Sequence, residues 1–303
     1  MKSTKEIIDF AWKNNFVIPA FNIPYLPMLK PVVEAIRDED SFGLIQVARL
    51  EWEKFESRSL KAVRDEYLLW EDKRHVRLHL DHVPVIDEDY VQVDYQGIIK
   101  EAVALGYCSL MVDGSRLPLN ENITATEAVC DIAHKAGLPC EAELGAVLGH
   151  ESGPMPPYEE IFKSGKGFTK PEEAELFVLK SGCDWLSVAI GNIHGAISEA
   201  TRGQVKPQAR LDIVHLAKLK QAANVPLVLH GGSGIKKECI IDAIKNGIAK
   251  INIGTEIRQS YEKGLKEQGE EGGRALVYNK TRALISDFLE ISGTASLISR
   301  RLP

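Results

Sequence analysis

Three of the eight histidines follow short apolar segments closely, in an arrangement typical of a catalytic metal site. His82, His194 and His230 each lie within four residues of the end of such a segment. If the segments are strands of one barrel, the three imidazoles meet at the same rim. Three neutral imidazoles that leave a fourth position open are the ligand set of a catalytic zinc ion. The sequence therefore predicts a zinc site made by these histidines.

A glycine-rich segment next to His230 has the composition of a phosphate-binding loop. Residues 230–234 read His-Gly-Gly-Ser-Gly and lead into a predicted helix, and Asn252 and Thr255 open the next one. Glycine lets backbone N–H groups turn toward a ligand, and a helix N-terminus favours an anion. We therefore expect a phosphate at these two loops.

The elements that position these residues alternate regularly along the chain. Eight short apolar runs are predicted as strands: 17–21, 44–47, 76–80, 109–112, 140–144, 185–190, 226–229 and 250–253. Helical patterns lie between them, at about 27–38, 54–70, 95–105, 122–136, 170–181, 211–223, 236–246 and 256–268. Near-continuous apolar strands indicate a sheet buried on both faces. The count predicts an α/β protein, a (β/α)8 TIM barrel forming one domain over 1–303, with an extra C-terminal helix at about 276–291.

Composition limits the classes of partner. The 43 acidic and 37 basic residues of the 303-residue chain give a net charge of −6, which argues against a nucleic-acid or membrane-surface binder. No apolar run approaches the roughly 20 residues that span a bilayer. The odd count of five cysteines favours reduced thiols and a cytoplasmic location.

Six motifs are distributed along the chain between about residues 15 and 260. They are Leu78-His79-Leu80-Asp81-His82, Asp113-Gly114-Ser115 with Glu121-Asn122, Glu141-Ala142-Glu143-Leu144-Gly145, Gly191-Asn192-Ile193-His194-Gly195, Leu229-His230-Gly231-Gly232-Ser233-Gly234 and Lys250-Ile251-Asn252. Together, and in this order, they resemble the class II (zinc-dependent) ketose-bisphosphate aldolases, the family of fructose- and tagatose-1,6-bisphosphate aldolases.

The resemblance implies an activity and roles. It implies retro-aldol cleavage of a ketose 1-phosphate or 1,6-bisphosphate to dihydroxyacetone phosphate and an aldehyde, with zinc as a Lewis acid on the C2 carbonyl. Asp81 would exchange a proton with the C4 hydroxyl and Glu151 with C1 of dihydroxyacetone phosphate. Asp113 and Glu143 match carboxylates that can serve as alternative metal ligands.

Further expectations follow from the same resemblance. The C1 phosphate would meet Gly195, Gly231, Ser233, Asn252 and Thr255, and Asn22 would lie near the substrate. The family forms homodimers or homotetramers, and a monovalent cation such as Na+ or K+ is a further expected cofactor.

The chain departs from the family at the rim. Arg49, Glu51 and Trp52 follow the second strand, where small residues and serine are usual, and the loop after His82 is long and acidic at residues 87–89. We hypothesise that Arg49 meets a distal anionic group of the substrate, since its planar fork suits phosphate. Arg282 of the C-terminal helix is a second candidate, reaching a neighbouring subunit.

Three further expectations concern individual residues and rival functions. His79 precedes His82 by three positions, so on a regular strand it would point away from the site. A Schiff-base aldolase would use Lys250. A non-catalytic sugar-phosphate sensor, or an aldolase acting on an altered ketose phosphate, would retain the fold.

Overall fold

The computed structural model describes residues 2–145, 158–192, 209–232 and 234–302. Eight parallel strands form a closed barrel in chain order, and β8 pairs with β1. The strands are β1 (Ile18–Asn22), β2 (Gly43–Ala48), β3 (Val76–Pro84), β4 (Ser109–Asp113), β5 (Cys140–Leu144), β6 (Trp185–Val188), β7 (Leu227–Leu229) and β8 (Ile248–Ile253). The predicted (β/α)8 TIM barrel is confirmed.

Helices surround the barrel and extend beyond it at both ends of the chain. They are α1 (Thr4–Lys13), α2 (Leu29–Asp38), α3 (Arg49–Lys54), α4 (Leu60–Trp70), α5 (Tyr95–Ala104), α6 (Leu119–Lys135), α7 (Tyr158–Ser164), α8 (Pro171–Ser181), α9 (Ile213–Ala223), α10 (Lys237–Lys245), α11 (Thr255–Ala283) and α12 (Thr294–Arg301). A 3-10 turn, Leu26–Met28, precedes α2, and a π turn, Leu284–Phe288, follows α11. Among the described residues, we find no helix long and apolar enough to cross a membrane.

Two helix predictions differ from the structure for local reasons. The helix predicted over 54–70 is two helices, because Arg58 adopts a positive φ of 68° and Ser59 caps a new start by accepting from the N–H of Ala62. The helices predicted at 256–268 and 276–291 belong to α11 and its π turn, and α11 is interrupted at Gly269 with φ 73°. The short α12 was not predicted.

The barrel interior is apolar at one end and polar at the other. At the amino-terminal ends of the strands, Ile18, Phe42 and Trp185 pack with Ile8 of α1 and Ile298 of α12. Next to this cluster and onward to the carboxyl ends of the strands, the barrel holds buried polar side chains: Gln46, His79, Asp81, Glu141, His230 and Lys250. The apolar end stabilises the barrel, and the polar end is where barrels of this class carry their chemistry.

Candidate active site

Strand β3 is irregular where it enters the site. Its pairing with β4 changes register between Leu80 and Val83, and His82 adopts a positive φ of 27°. The alternation assumed for a regular strand is therefore lost. The prediction that His79 points away from the site was wrong: its ring is fully buried, with Nε2 3.5 Å from Oε2 of Glu141. Burial and the nearby charge of Lys250 lower the pKa of His79 to about 3.

Asp81 lies at the centre of the rim and is held by three amide side chains from three strands. Its Oδ2 accepts hydrogen bonds from Asn22 (2.9 Å) and Gln46 (3.2 Å), and its Oδ1 accepts one from Asn252 (2.9 Å). Burial opposes ionisation, but the positive charges of His82 and Lys250 hold the pKa of Asp81 well below its usual range. Asp81 is therefore an oriented carboxylate at neutral pH.

His82 and His230 come together from strands on different sides of the barrel. Their ring centroids lie 4.5 Å apart. His82 Nδ1 lies 3.3 Å from Oδ2 of Asp113 and 4.0 Å from Oε2 of Glu143. His230 Nδ1 lies 2.9 Å from the same Glu143 oxygen. Four of the predicted metal-site residues thus share one small volume.

These donors fit a divalent metal ion. Asp81, His82 and His230 can each offer one atom within 4.8 Å of the others, and so can His82, Asp113 and Glu143. Two imidazoles surrounded by carboxylates form a mixed N and O donor set, which suits zinc and related divalent ions. The predicted third histidine ligand, His194, lies outside the described residues.

The imidazole pKa values respond to this excess of negative charge. For His82, burial works against protonation, but Asp81, Asp113 and Glu143 outweigh it and raise the pKa to about 10. For His230, burial and the charge of His82 oppose protonation, yet hydrogen bonds to Glu141 and Glu143 raise the pKa. The carboxylates therefore attract a cation to the space between the two rings.

The contacts made after β4 explain why the sequence there is Asp113-Gly114-Ser115. Ser115 donates its hydroxyl to Oδ1 of Asp113 at 2.6 Å, which turns Oδ2 toward His82. A Cβ at Gly114 would lie 2.2 Å from Oδ1 of Asn122, so a side chain is excluded there. Asn122 donates to the backbone oxygen of Glu143 at 3.0 Å and fixes the end of β5 beside the site.

The predicted phosphate residues are placed in part. Gly231 follows β7 with a positive φ of 65°, and Thr255 is the first residue of α11, whose first turn begins at Gly254. The side chain of Asn252 is turned into the barrel, where it contacts Lys250 and Asp81. The other predicted residues of this set, Gly195 and Ser233, lie outside the described residues, as does the predicted base Glu151.

The two candidate arginines occupy opposite ends of the barrel. Arg49 begins α3 at the rim, and its guanidinium lies 3.4 Å from Asp87 and 3.1 Å from Glu53. Arg282 pairs at 2.6 Å with Glu39. Glu39 follows α2 and precedes β2, so it lies at the amino-terminal face of the barrel, away from Asp81. Within one chain, Arg49 is the one near the site.

Glu51 of α3 adds a buried carboxyl group beside Asp81. Its Oε2 accepts a hydrogen bond of 2.8 Å from the N–H of Ala48. Burial raises the pKa of Glu51 to about 8. The hydrogen bond from the Ala48 N–H lowers this pKa, and the negative charge of Asp81 raises it. A protonated Glu51 avoids a second negative charge next to Asp81.

Sequence reasoning missed several residues of the site. Gln46 and Glu141 were assigned no role in it, and Lys250 only that of a Schiff-base lysine, yet all three are fully buried and contact assigned residues. A signal exists for each, because a polar residue within an apolar strand must find partners inside the fold. Glu141 also lies two positions before Glu143, and alternate residues of a strand share a face.

The fold and this cluster define a barrel enzyme whose acid–base carboxylate lies beside a metal-binding cluster. The family profile for fructose-bisphosphate aldolase class-II matches residues 2–291. The chain belongs to this family, whose members are metal-dependent carbon–carbon lyases acting on sugar phosphates.

Solved structures of similar proteins agree. The YdjI aldolase from Escherichia coli K12 is 29% identical, with a TM-score of 0.76 over 97% of this chain and 100% of that one. A Coccidioides immitis protein, provisionally assigned as a fructose-1,6-biphosphate aldolase, is 26% identical, with a TM-score of 0.76 over 97% and 98% of the two chains. Fructose-bisphosphate aldolase from Campylobacter jejuni, 20% identical, has a TM-score of 0.71 over 96% of each chain and shares the fold.

Proposed function

We propose that the protein is a zinc-dependent aldolase that reversibly cleaves a ketose 1-phosphate or 1,6-bisphosphate, of the fructose or tagatose type, to dihydroxyacetone phosphate and an aldehyde. The observation that carries the proposal is the position of Asp81. Three amides hold it as a carboxylate, and it directly precedes His82 of the metal-binding cluster. A fixed base beside an electrophilic centre is what carbon–carbon cleavage next to a carbonyl requires.

The proposed metal ligands are His82, His194 and His230, with Asp113 and Glu143 as alternative ligands. Bound zinc supplies a Lewis acid that polarises the C2 carbonyl of the substrate. Glu143 lies 2.9 Å from His230 and 4.0 Å from His82, so it is within reach of an ion held by both rings.

Proton transfer is assigned to two carboxylates. Asp81, ionised at neutral pH, takes the proton of the C4 hydroxyl as the C3–C4 bond breaks, and returns it in the condensation direction. Its three amide donors hold the carboxylate in one orientation. Glu151 exchanges the proton at C1 of dihydroxyacetone phosphate, which is its hydroxymethyl carbon and corresponds to C3 of the ketose.

Substrate binding is assigned to the loops after β7 and β8. Gly195, Gly231, Ser233, Asn252 and Thr255 would contact the C1 phosphate, and the N-terminus of α11 would add its partial positive charge. Asn22 lies at the substrate end of β1 and contacts Asp81. Arg49 is the proposed contact for a distal anion.

A coupled assay tests the proposal across a panel of ketose phosphates, run with metal-stripped protein, with added zinc, and with zinc plus chelator. Cleavage that depends on zinc and yields dihydroxyacetone phosphate is expected. Failure to cleave any member of the panel after zinc is restored would overturn the proposal. Retained cleavage in chelator, with borohydride trapping of substrate on Lys250, would indicate Schiff-base chemistry instead.

The proposal also covers the domain organisation, oligomeric state, location and monovalent cation of the enzyme. We infer one domain over 1–303, a homodimer or homotetramer, a cytoplasmic location, and assistance by a monovalent cation such as Na+ or K+. The family match covers residues 2–291, and all five cysteines are free thiols. Light scattering of the purified protein measures the oligomer, and activity in Na+, K+ and tetramethylammonium buffers tests the cation.

A further inference from the structure

A lysine ammonium is buried at the centre of the barrel, below the rim. Lys250 of β8 has no exposed surface, and its Nζ lies 2.9 and 3.1 Å from the two carboxylate oxygens of Glu141. It also donates a hydrogen bond of 2.6 Å to Oδ1 of Asn252. Burying an ion pair carries a desolvation cost that an apolar pair of similar size avoids. The pair therefore calls for a role beyond stability.

Each partner of Lys250 contacts one of the two groups on which the proposed chemistry depends. Oε1 of Glu141 lies 2.9 Å from Nε2 of His230. Nδ2 of Asn252 donates to Oδ1 of Asp81 at 2.9 Å. One ammonium thus reaches a proposed metal ligand through Glu141 and the proposed base through Asn252.

These contacts restrict both groups to one orientation. Glu141 accepts the Nε2–H of His230 and keeps that nitrogen protonated. Nδ1, which lies 2.9 Å from Glu143, is therefore the atom that offers a lone pair when a metal ion displaces its proton. Lys250 has only hydrogens to offer, so Asn252 must present its carbonyl oxygen to it. The NH2 of Asn252 is then the group directed at Asp81. Without the ammonium, the amide could rotate and present an oxygen to the carboxylate.

We propose that Lys250 is a positioning residue that aligns His230 for metal binding and Asp81 for proton transfer at the same time. The inference rests on the proposed aldolase function. It assigns Lys250 a role different from that of a Schiff-base lysine, since an ammonium held by a carboxylate has no lone pair to attack a carbonyl.

The test compares Lys250→Met with the wild-type enzyme in two measurements. The first is the zinc dissociation constant, from competition with a chromophoric chelator, and we expect binding weaker by about 10- to 100-fold. The second is the rate of ketose cleavage divided by the rate of C1 hydrogen exchange of dihydroxyacetone phosphate, both measured at saturating zinc. Exchange does not use Asp81, so we expect cleavage to fall about tenfold or more relative to exchange.

Glu141→Gln separates the effect of Lys250 on His230 from its effect on Asp81. It weakens the contact to His230 and leaves Lys250 against Asn252, so zinc binding should weaken while the cleavage-to-exchange ratio stays at the wild-type value. Ile18→Val, buried at the apolar end of the barrel, is the matched control for lost stability and should change neither measurement.

The outcomes distinguish the inference from the proposed function. Wild-type zinc affinity and a wild-type ratio in Lys250→Met would overturn the positioning role. If that variant does not fold, the double variant Lys250→Met/Glu141→Gln carries no unpaired buried charge, and a wild-type ratio in it would overturn the role equally. A wild-type enzyme that neither binds zinc nor cleaves a ketose phosphate would overturn the proposed function instead.

Discussion

The guanidinium of Arg49 lies 3.4 Å from the carboxylate of Asp87, and this contact joins α3 to the loop after β3. A second ion pair, Lys54 to Glu88 at 2.6 Å, joins the same two segments. The two rim segments that carry Arg49 and the acidic residues 87–89 are therefore partners of each other. Their pairing forms the rim next to Asp81, on the side of the barrel away from the loops after β7 and β8.

This pairing sharpens the hypothesis that Arg49 contacts a distal anion. We predict that Arg49→Ala raises KM for a ketose bisphosphate by about 10- to 100-fold and leaves KM for the matching 1-phosphate unchanged, because a charge-assisted hydrogen bond contributes about 1.5–3 kcal/mol. Asp87→Asn releases the guanidinium from one competing carboxylate, so it should lower KM for the bisphosphate. Steady-state kinetics on both substrates decide. An unchanged KM of Arg49→Ala for the bisphosphate would remove the arginine from the substrate site.

Replacing the proposed base separates the two proton transfers. Asp81→Asn keeps the volume of the side chain and removes the proton acceptor, so we expect kcat for cleavage to fall by about 10²–10⁴ with a small change in KM. C1 hydrogen exchange of dihydroxyacetone phosphate should persist, since it is assigned to Glu151. Asp65→Asn, on the surface of α4 and paired with Lys61, is the control and should match wild type. Equal loss of both reactions would show that Asp81 does more than transfer the C4 proton.

The barrel and most of its rim could be predicted from the sequence because they depend on local patterns. Apolar runs mark the strands, and polar residues at their ends, such as Asp113 and Glu143, identify the catalytic face. The interior network could not be predicted in this way. The orientation of His82 relative to His79 depends on a register shift between Leu80 and Val83, and the contact of Lys250 with Glu141 joins residues 109 positions apart. Such long-range contacts have no signature in spacing.

Metal binding should release protons. The pKa of His82 is raised to about 10 by Asp81, Asp113 and Glu143 against the effect of burial, so at pH 7 the metal-free ring carries a proton that a metal ion must displace. We therefore predict that zinc affinity increases with pH between 6 and 8, by up to about tenfold per unit for each proton released. Calorimetry in buffers of different ionisation enthalpy counts the protons.

The control for this measurement is a histidine outside the cluster. His134→Gln alters a half-exposed ring that pairs with Asp184 on the outside of the barrel, and it should leave the number of released protons unchanged. Zinc affinity that is independent of pH over this range would contradict the assignment of His82 as a protonated ligand.

The buried carboxyl of Glu51 should make stability depend on pH. Its pKa rises from 4.5 to about 8 on folding, chiefly through burial. A raised pKa means that the folded state binds the proton more tightly, so the contribution to stability is complete below about pH 4.5 and is lost as pH rises toward 8. We predict that Glu51→Gln, which keeps an oxygen for the Ala48 N–H, is more stable relative to wild type at pH 8 than at pH 5. The limit is about 1.4 kcal/mol per pH unit.

Thermal unfolding of metal-stripped wild type and Glu51→Gln at pH 5 and pH 8 measures this difference. The matched control is Glu172→Gln, an exposed glutamate in the first turn of α8, which should show the same pH dependence as wild type. A Tm difference between Glu51→Gln and wild type that is the same at both pH values would mean that Glu51 stays ionised on folding. In that case a second negative charge would face Asp81 at neutral pH. That charge would raise the pKa of Asp81 above the value that its amide contacts and the neighbouring cations imply.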